Sequence, residues 1–216
     1  MKNIITFLMI MIMGMVNSIT AQEAYFSVGK NFTTYDYTNS LGESNPNLSG
    51  SSGMSYEMGF LFNVYDNIGF AVGVTLNELN ATGGSRVDNY SWDTNYLGLQ
   101  GLLKYKIIGQ SGKWSSRSNR SEGFSMSIDA GVNFNSLING QQKINGQTFD
   151  LTENSEFNGF FIQPLIGLDL NYLITDNISF GLGYYLSKNF RSSTSGDEKL
   201  IINNNQLKFN IIISLY

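Results

Sequence analysis

Six charged residues fall where alternation along strand-forming segments would bring them together: Glu57, Lys104, Lys106, Asp129, Asp169 and Lys208. Each has the parity of the polar residues in a segment whose remaining positions are apolar, so all six are expected on one side of a sheet. Three acids opposite three bases could do two kinds of chemistry. They could satisfy one another in a low-dielectric interior, where an unpaired charge is costly, or they could form a charged plug or weak ion gate in a channel. Glu57 and Asp129 are expected to pair with Lys104 or Lys208. Asp129 and Asp169 would also be the candidate acid and base of a carboxylate dyad, although lysines that balance them make a structural role the better reading.

The remaining inventory excludes more than it offers. With no cysteine and no histidine, the chain lacks disulfides, thiolate and imidazole metal sites, thiol nucleophiles and histidine-based acids or bases. Barrel hydrolases that rely on a histidine base are therefore excluded, and the chain reads as a non-enzyme without a cofactor. A net charge of -4 leaves no basic excess for nucleic acid. Gly109 to Ser116 holds a Gly-Lys pair but not the earlier glycine or the following hydroxyl of a phosphate loop. Asp150, Glu153, Glu156, Asp197 and Glu198 read as solvated loop acids, with divalent cations beside lipopolysaccharide as the alternative.

The elements that would position the six charges follow from periodicity. Residues 1–21 read as a secretory signal: Lys2, an apolar run from Ile4 to Val16, and a small residue at Ala21. Residues 22–216 then form one domain. From Phe160 to Ile174 every second residue is apolar, and the same period of two recurs along the chain. Eight strands are expected, near 24–35, 54–65, 68–79, 90–107, 124–134, 157–174, 178–190 and 206–216. Each reaches the ~9–11 residues of a tilted membrane strand. The fold class is all-β: a closed antiparallel up-and-down transmembrane β-barrel with lipid outside and a polar lumen.

Connection lengths support that reading. Asp66-Asn67 and Thr175-Asp176-Asn177 are tight polar turns, expected on the periplasmic side, while 36–53, 80–89, 135–156 and 191–205 are longer polar loops on the outer side. The Ser-rich stretch from Ile108 to Gly123 is long where a short turn is expected, and it leaves ten strands open. Asn145-Gly146 suits a tight hairpin turn above the membrane. Tyr65, Tyr105 and Tyr172 near periplasmic ends, and Tyr90, Trp92, Phe134, Phe157 and Phe190 near outer ends, would form the two aromatic belts of a membrane barrel. Lys30 has lipid-facing parity, so either a bulge turns it inward or it lies near an interface.

Phe160 to Phe190, together with Asn95 to Ile107, Phe26 to Thr33 and the terminal Ile-Ser-Leu-Tyr, resembles the small outer-membrane β-barrel proteins of the OmpX/OmpA-like and PorT-like kind found in Bacteroidetes. The C-terminal signal departs from the pattern, since Tyr216 has the parity of Ser214. The resemblance implies a Gram-negative outer-membrane barrel, inserted by the barrel-assembly machinery and in contact with lipid and lipopolysaccharide, with no shared enzymatic activity. A monomer with a structural, adhesive or surface-interaction role in its outer loops is the leading expectation. A narrow pore for small solutes and a soluble lipocalin-like lipid carrier are the alternatives.

Overall fold

The computed structural model describes residues 23–39, 41–84, 89–109, 123–152, 157, 159–189, 191–192 and 199–215. The expected signal at 1–21, most of the 108–123 connection, Phe190, Glu153, Glu156, Asp197, Glu198 and Tyr216 lie outside them.

The described chain forms one antiparallel sheet of β1 (Glu23–Thr38), β2 (Leu48–Tyr65), β3 (Ile68–Glu78), β4 (Ala81–Gly84), β5 (Asn89–Ile108), β6 (Phe124–Ile144), β7 (Gln147–Asp150), β8 (Phe160–Thr175), β9 (Ile178–Lys188), β10 (Arg191–Ser192) and β11 (Lys199–Ser214). Hydrogen bonding runs β1-β2-β3-β5-β6-β8-β9-β11, and β11 pairs with β1 to close the ring. This is an eight-stranded up-and-down barrel, and β4, β7 and β10 are short additions at one end. We call that end the loop end. At the opposite, turn end, Asp66-Asn67 and Asp176-Asn177 make two-residue turns, each beside a register shift in the preceding strand.

Closure divides the side chains cleanly. Along β8 every second residue from Phe160 to Ile174 is exposed and every intervening one from Phe161 to Leu173 is buried in the lumen. The exposed set includes Ile162, Ile166, Leu168 and Tyr172, and the buried set includes Gln163, Asp169 and Asn171. Greasy outside and polar inside is the reverse of a water-soluble barrel.

Toward the loop end the pattern inverts. On β1 the outward residues change from Phe26, Val28 and Phe32 to Thr34 and Asp36, while the inward ones change from Asn31 and Thr33 to Tyr35 and Tyr37. On β11 Asn203 and Asn205 face outward where Leu200 and Ile202 are buried, and on β5 exposed Asp93 flanks inward Trp92 and Thr94. The far third of the barrel is thus built as a soluble barrel is, with an apolar core inside and polar residues outside.

This inversion explains where sequence periodicity ends strands too early. β2, β5 and β6 have 18, 20 and 21 residues, about twice what a membrane crossing needs. Strand structure enters all four expected outer loops: 36–53 loses its two ends to β1 and β2, 80–89 contains β4, 135–156 contains the rest of β6 and β7, and 191–205 contains the start of β11. Polar strand residues that pair outside the apolar band carry no greasy alternation to read. At 157–159 the error is opposite, because the strand begins only at Phe160 and Phe157 turns into the interior. The Asn145-Gly146 turn joins β6 to β7, with φ of 49° and 85°, the positive values that a type I′ hairpin demands.

Candidate functional site

The lumen is stacked in three layers. Nearest the turn end lie the charges, and the six predicted residues are all buried there. Lys104 on β5 reaches Asp129 Oδ2 on β6 at 2.5 Å and Asp169 Oδ2 on β8 at 2.8 Å. Lys208 on β11 reaches Glu57 Oε2 on β2 at 2.5 Å. These contacts need no help from loops, since strand register already puts Lys104 opposite Asp129 on neighbouring strands.

Each of these three carboxylates has further donors. Tyr25 Oη and Gln100 Nε2 donate to Glu57 Oε1 at 2.6 and 2.5 Å. Tyr185 Oη and Ser127 Oγ donate to Asp129 at 2.7 Å each. Asn210 Nδ2 donates to Asp169 Oδ1 at 2.8 Å, and the Lys208 ammonium lies 4.7 Å from the Tyr185 ring centroid. Such saturation is what makes a buried charge tolerable. Lys106 sits apart from this set and feels the carboxylate of Glu23, a fully buried residue outside the six expected charges. Among the described residues, four buried carboxylates therefore face three buried ammoniums. Glu23 has the parity of Ser27, so it was legible once β1 is begun one residue before Ala24.

Amides form the middle layer. Gln206 Nε2 lies within hydrogen-bond distance of Asn31 Oδ1, Ser55 Oγ and Asn77 Oδ1, at 2.8, 2.6 and 3.1 Å, which share its two protons, and Asn135 Nδ2 donates to Gln163 Oε1 at 3.2 Å. At the loop end comes an apolar plug that includes Tyr35, Tyr96, Phe157, Phe161 and Ile202. Tyr96 and Phe161 meet edge to face with centroids 5.0 Å apart, and the Tyr35 hydroxyl is satisfied by the Leu79 carbonyl at 2.6 Å.

Two of the cavities among the described residues bear on the site. One, of ≈ 30 Å³, lies among Tyr25, Glu57, Lys104, Asp169, Tyr185 and Lys208, room for about one or two waters. The other, of ≈ 270 Å³, lies at the loop end and is lined by Tyr35, Tyr37, Asn45, Leu48, Tyr90, Trp92, Gln142, Phe157 and Leu200. Sequence reading missed this second cavity because it assigns Tyr90, Trp92 and Phe157 to the lipid belt.

That assignment needs correction for Trp92. Its parity on β5 is that of Gln100 and Lys104, and it points inward, 6.1 Å from the Tyr35 ring and 6.2 Å from that of Tyr90. Tyr90 and Phe157 belong to the same interior group. Tyr65, Tyr105 and Tyr172 do point outward near the turn end, where Tyr105 pairs with Ile68 and Tyr172 with Phe180. Lys30 also points outward, and no register shift interrupts either ladder of β1. It pairs with Met54 and Leu207, and the next outward positions toward the loop end on those strands are Ser52 and Asn205. Lys30 thus stands at the upper margin of the apolar band, 5.9 Å from the Phe32 ring centroid. Asp150 is bound locally: the Thr152 N–H and hydroxyl both donate to Oδ1 at 2.8 Å and hold its carboxyl below the usual range. Among the described residues no cluster of acids could hold a metal ion.

No family profile matches the sequence, and a search of curated proteins finds no match. Solved structures do match. The chain is similar to the outer membrane protein OprG from Pseudomonas aeruginosa, with a TM-score of 0.53 and 12% identity over 90% of this chain and 97% of that one. The fold is that of a small outer-membrane β-barrel. Neisserial surface protein A also matches, with a TM-score of 0.45 and 12% identity over 88% of this chain and 97% of that one. So does Ail, the attachment invasion locus protein of Yersinia pestis, with a TM-score of 0.39 and 12% identity over 88% of this chain and 99% of that one.

Proposed function

We propose that the chain is an integral protein of a Gram-negative outer membrane, with a sealed barrel that anchors a rigid outer platform for surface interaction. The observation that carries this reading is the inversion of side-chain polarity along the barrel. A band of exposed Phe, Ile, Leu, Met and Val surrounds a charged lumen near the turn end, and a polar exterior surrounds an apolar plug near the loop end. Water outside explains the second zone and contradicts the first, whereas a hydrocarbon slab around the first zone satisfies both. A soluble lipid carrier would need its greasy side turned inward along its whole length.

The finer parts of the proposal rest on separate supports. Export rests on residues 1–21, and insertion by the barrel-assembly machinery follows from the barrel class. The hairpin of β8 and β9 supports a place among the OmpX/OmpA-like and PorT-like barrels of Bacteroidetes. Lys30, at the upper margin of the band, is placed to meet an anionic head group of lipid or lipopolysaccharide. A closed ring without a free edge in its membrane-embedded part favours a monomer. The packed lumen, which lacks histidine and cysteine, favours anchoring over transport or catalysis. Heat-modifiable gel migration after detergent extraction tests the core of this reading: a folded barrel runs faster unboiled than boiled. Release of the protein by osmotic shock, without detergent, would overturn it.

A further inference from the structure

We propose that the loop-end cavity is a binding site for a neutral sugar residue. The walls are aromatic: Tyr35 and Phe157 are buried, and Trp92 stands between the Tyr35 and Tyr90 rings. Such rings present flat apolar faces that pack on the C–H face of a pyranose. Around them are side chains that hydrogen-bond without charge. Asn45 and Gln142 line the same cavity, and neither the Trp92 indole N–H nor the Gln142 side-chain amide bonds to another described residue.

Two features narrow the ligand class. Among the described residues that line the cavity there is no Asp, Glu, Lys or Arg, so an anionic or cationic ligand would find no counter-charge in those walls and would lose hydration without return. A purely apolar ligand would leave the indole N–H and the Gln142 amide without partners once water is displaced, at a cost in affinity. A sugar ring answers both demands, with C–H faces for the aromatics and hydroxyls for the amides. Size agrees: ≈ 270 Å³ is just under the ~300 Å³ where pockets for drug-sized ligands begin, enough for about one or two six-membered rings.

The floor of the site is the apolar plug, so a bound sugar has no way through the barrel. The cavity is therefore a recognition pocket rather than the entry to a channel. Strand ends carry most of it, with Tyr35, Tyr37, Tyr90, Trp92, Gln142 and Leu200 on β1, β5, β6 and β11, which preorganises the walls. The proposal rests on the outer-surface reading for the source of the sugar, but binding itself requires only the folded barrel.

The test uses the full mature chain in lauryldimethylamine-oxide micelles, because glucoside and maltoside detergents would compete. The protein has two tryptophans, so a Trp114→Phe background with excitation selective for tryptophan leaves Trp92 as the reporter. Methyl β-glucopyranoside, N-acetylglucosamine and lactose are titrated beside glucuronate and toluene. Unboiled gel migration of the same samples reports separately whether the barrel is folded. A saturable shift in Trp92 emission with a neutral sugar, at a midpoint below about 10 mM, is expected. Gln142→Ala and Tyr90→Leu are expected to raise that midpoint about tenfold or more while the fast-migrating form persists. Gln142→Asn stands in if the alanine variant fails to fold. Saturation by toluene or glucuronate in preference to every neutral sugar, or no saturable response in a folded barrel, would overturn the proposal.

Discussion

Lys208 reaches Glu57 across the full width of β1, at the point where β1 carries Gly29. Gly29 pairs with Lys208 on one side and with Ser55 on the other, and the ion pair closes over it at 2.5 Å. A Cβ on Gly29 would meet the Leu207 carbonyl and stand 3.1 Å from Lys208 Cγ. The missing side chain is what lets the lysine lie down over its neighbour. Both charges are almost fully buried, so removal of one strands the other. Lys208→Met should cost about 3–5 kcal/mol, and Glu57→Gln combined with Lys208→Met should recover most of that loss. Urea unfolding in phosphocholine vesicles measures both, and equal losses in the single and double variants would contradict an ion pair.

Much of this arrangement was legible in the sequence, for a specific reason. Parity in a strand is rigid, so the residues that alternate with Phe209 and Ile211 had to put Lys208 inside, and the same holds for Asp169 between Leu168 and Leu170. What failed were inferences from position along a strand. Trp92 lies near a strand end, where membrane belts are found, yet its parity with Lys104 turns it inward. The extensions of β2, β6 and β11 were illegible because apolar alternation marks only the part in contact with hydrocarbon, while backbone pairing continues beyond it. Alternation with Leu182, Tyr184 and Leu186 also turns Tyr185 inward, but that its hydroxyl reaches Asp129 was hidden, since strand parity does not say which inward residues of different strands meet.

Tyr185 supplies the next test. Gly167 lies opposite it on β8, and a Cβ there would collide with the Tyr185 ring and the Tyr184 carbonyl. Gly101 has only the Phe70 ring nearby, at 3.7 Å. The same substitution should therefore give two results. Gly167→Ala should destabilise the barrel by about 1–3 kcal/mol through overpacking, whereas Gly101→Ala should be close to neutral. Matched urea titrations of the two variants decide the point, and equal costs would mean that Tyr185 is not seated on Gly167.

A sealed lumen should not conduct. The charged layer encloses a cavity of ≈ 30 Å³, room for about one or two waters, and the apolar plug closes the loop end. Planar bilayers with the refolded protein should show no steady stepwise current. Glu57→Gln and Lys104→Met should leave that silence unchanged, because they alter charge and not the packed cross-section. Reproducible open steps in the parent protein would restore the narrow-pore reading.

Depth in the membrane gives the last prediction. Lys30 and Leu168 both point outward, but Lys30 sits beside Met54 and Leu207 at the margin where Ser52 and Asn205 take over. Leu168 lies between Ile166 and Leu170 on β8 and pairs with Ile128 and Tyr184, all outward and apolar. A lysine costs about 0–1 kcal/mol near an interface and about 2–4 kcal/mol at the midplane. Lys30→Leu should thus change stability by less than about 1 kcal/mol, and Leu168→Lys should lose about 2–4 kcal/mol. Vesicles of longer acyl chain should enlarge the difference at position 30, as a thicker hydrocarbon layer reaches the lysine and its stem no longer carries the ammonium to the surface. A large gain from Lys30→Leu in bilayers of ordinary thickness would mean that the band extends further toward the loop end than the polarity inversion marks.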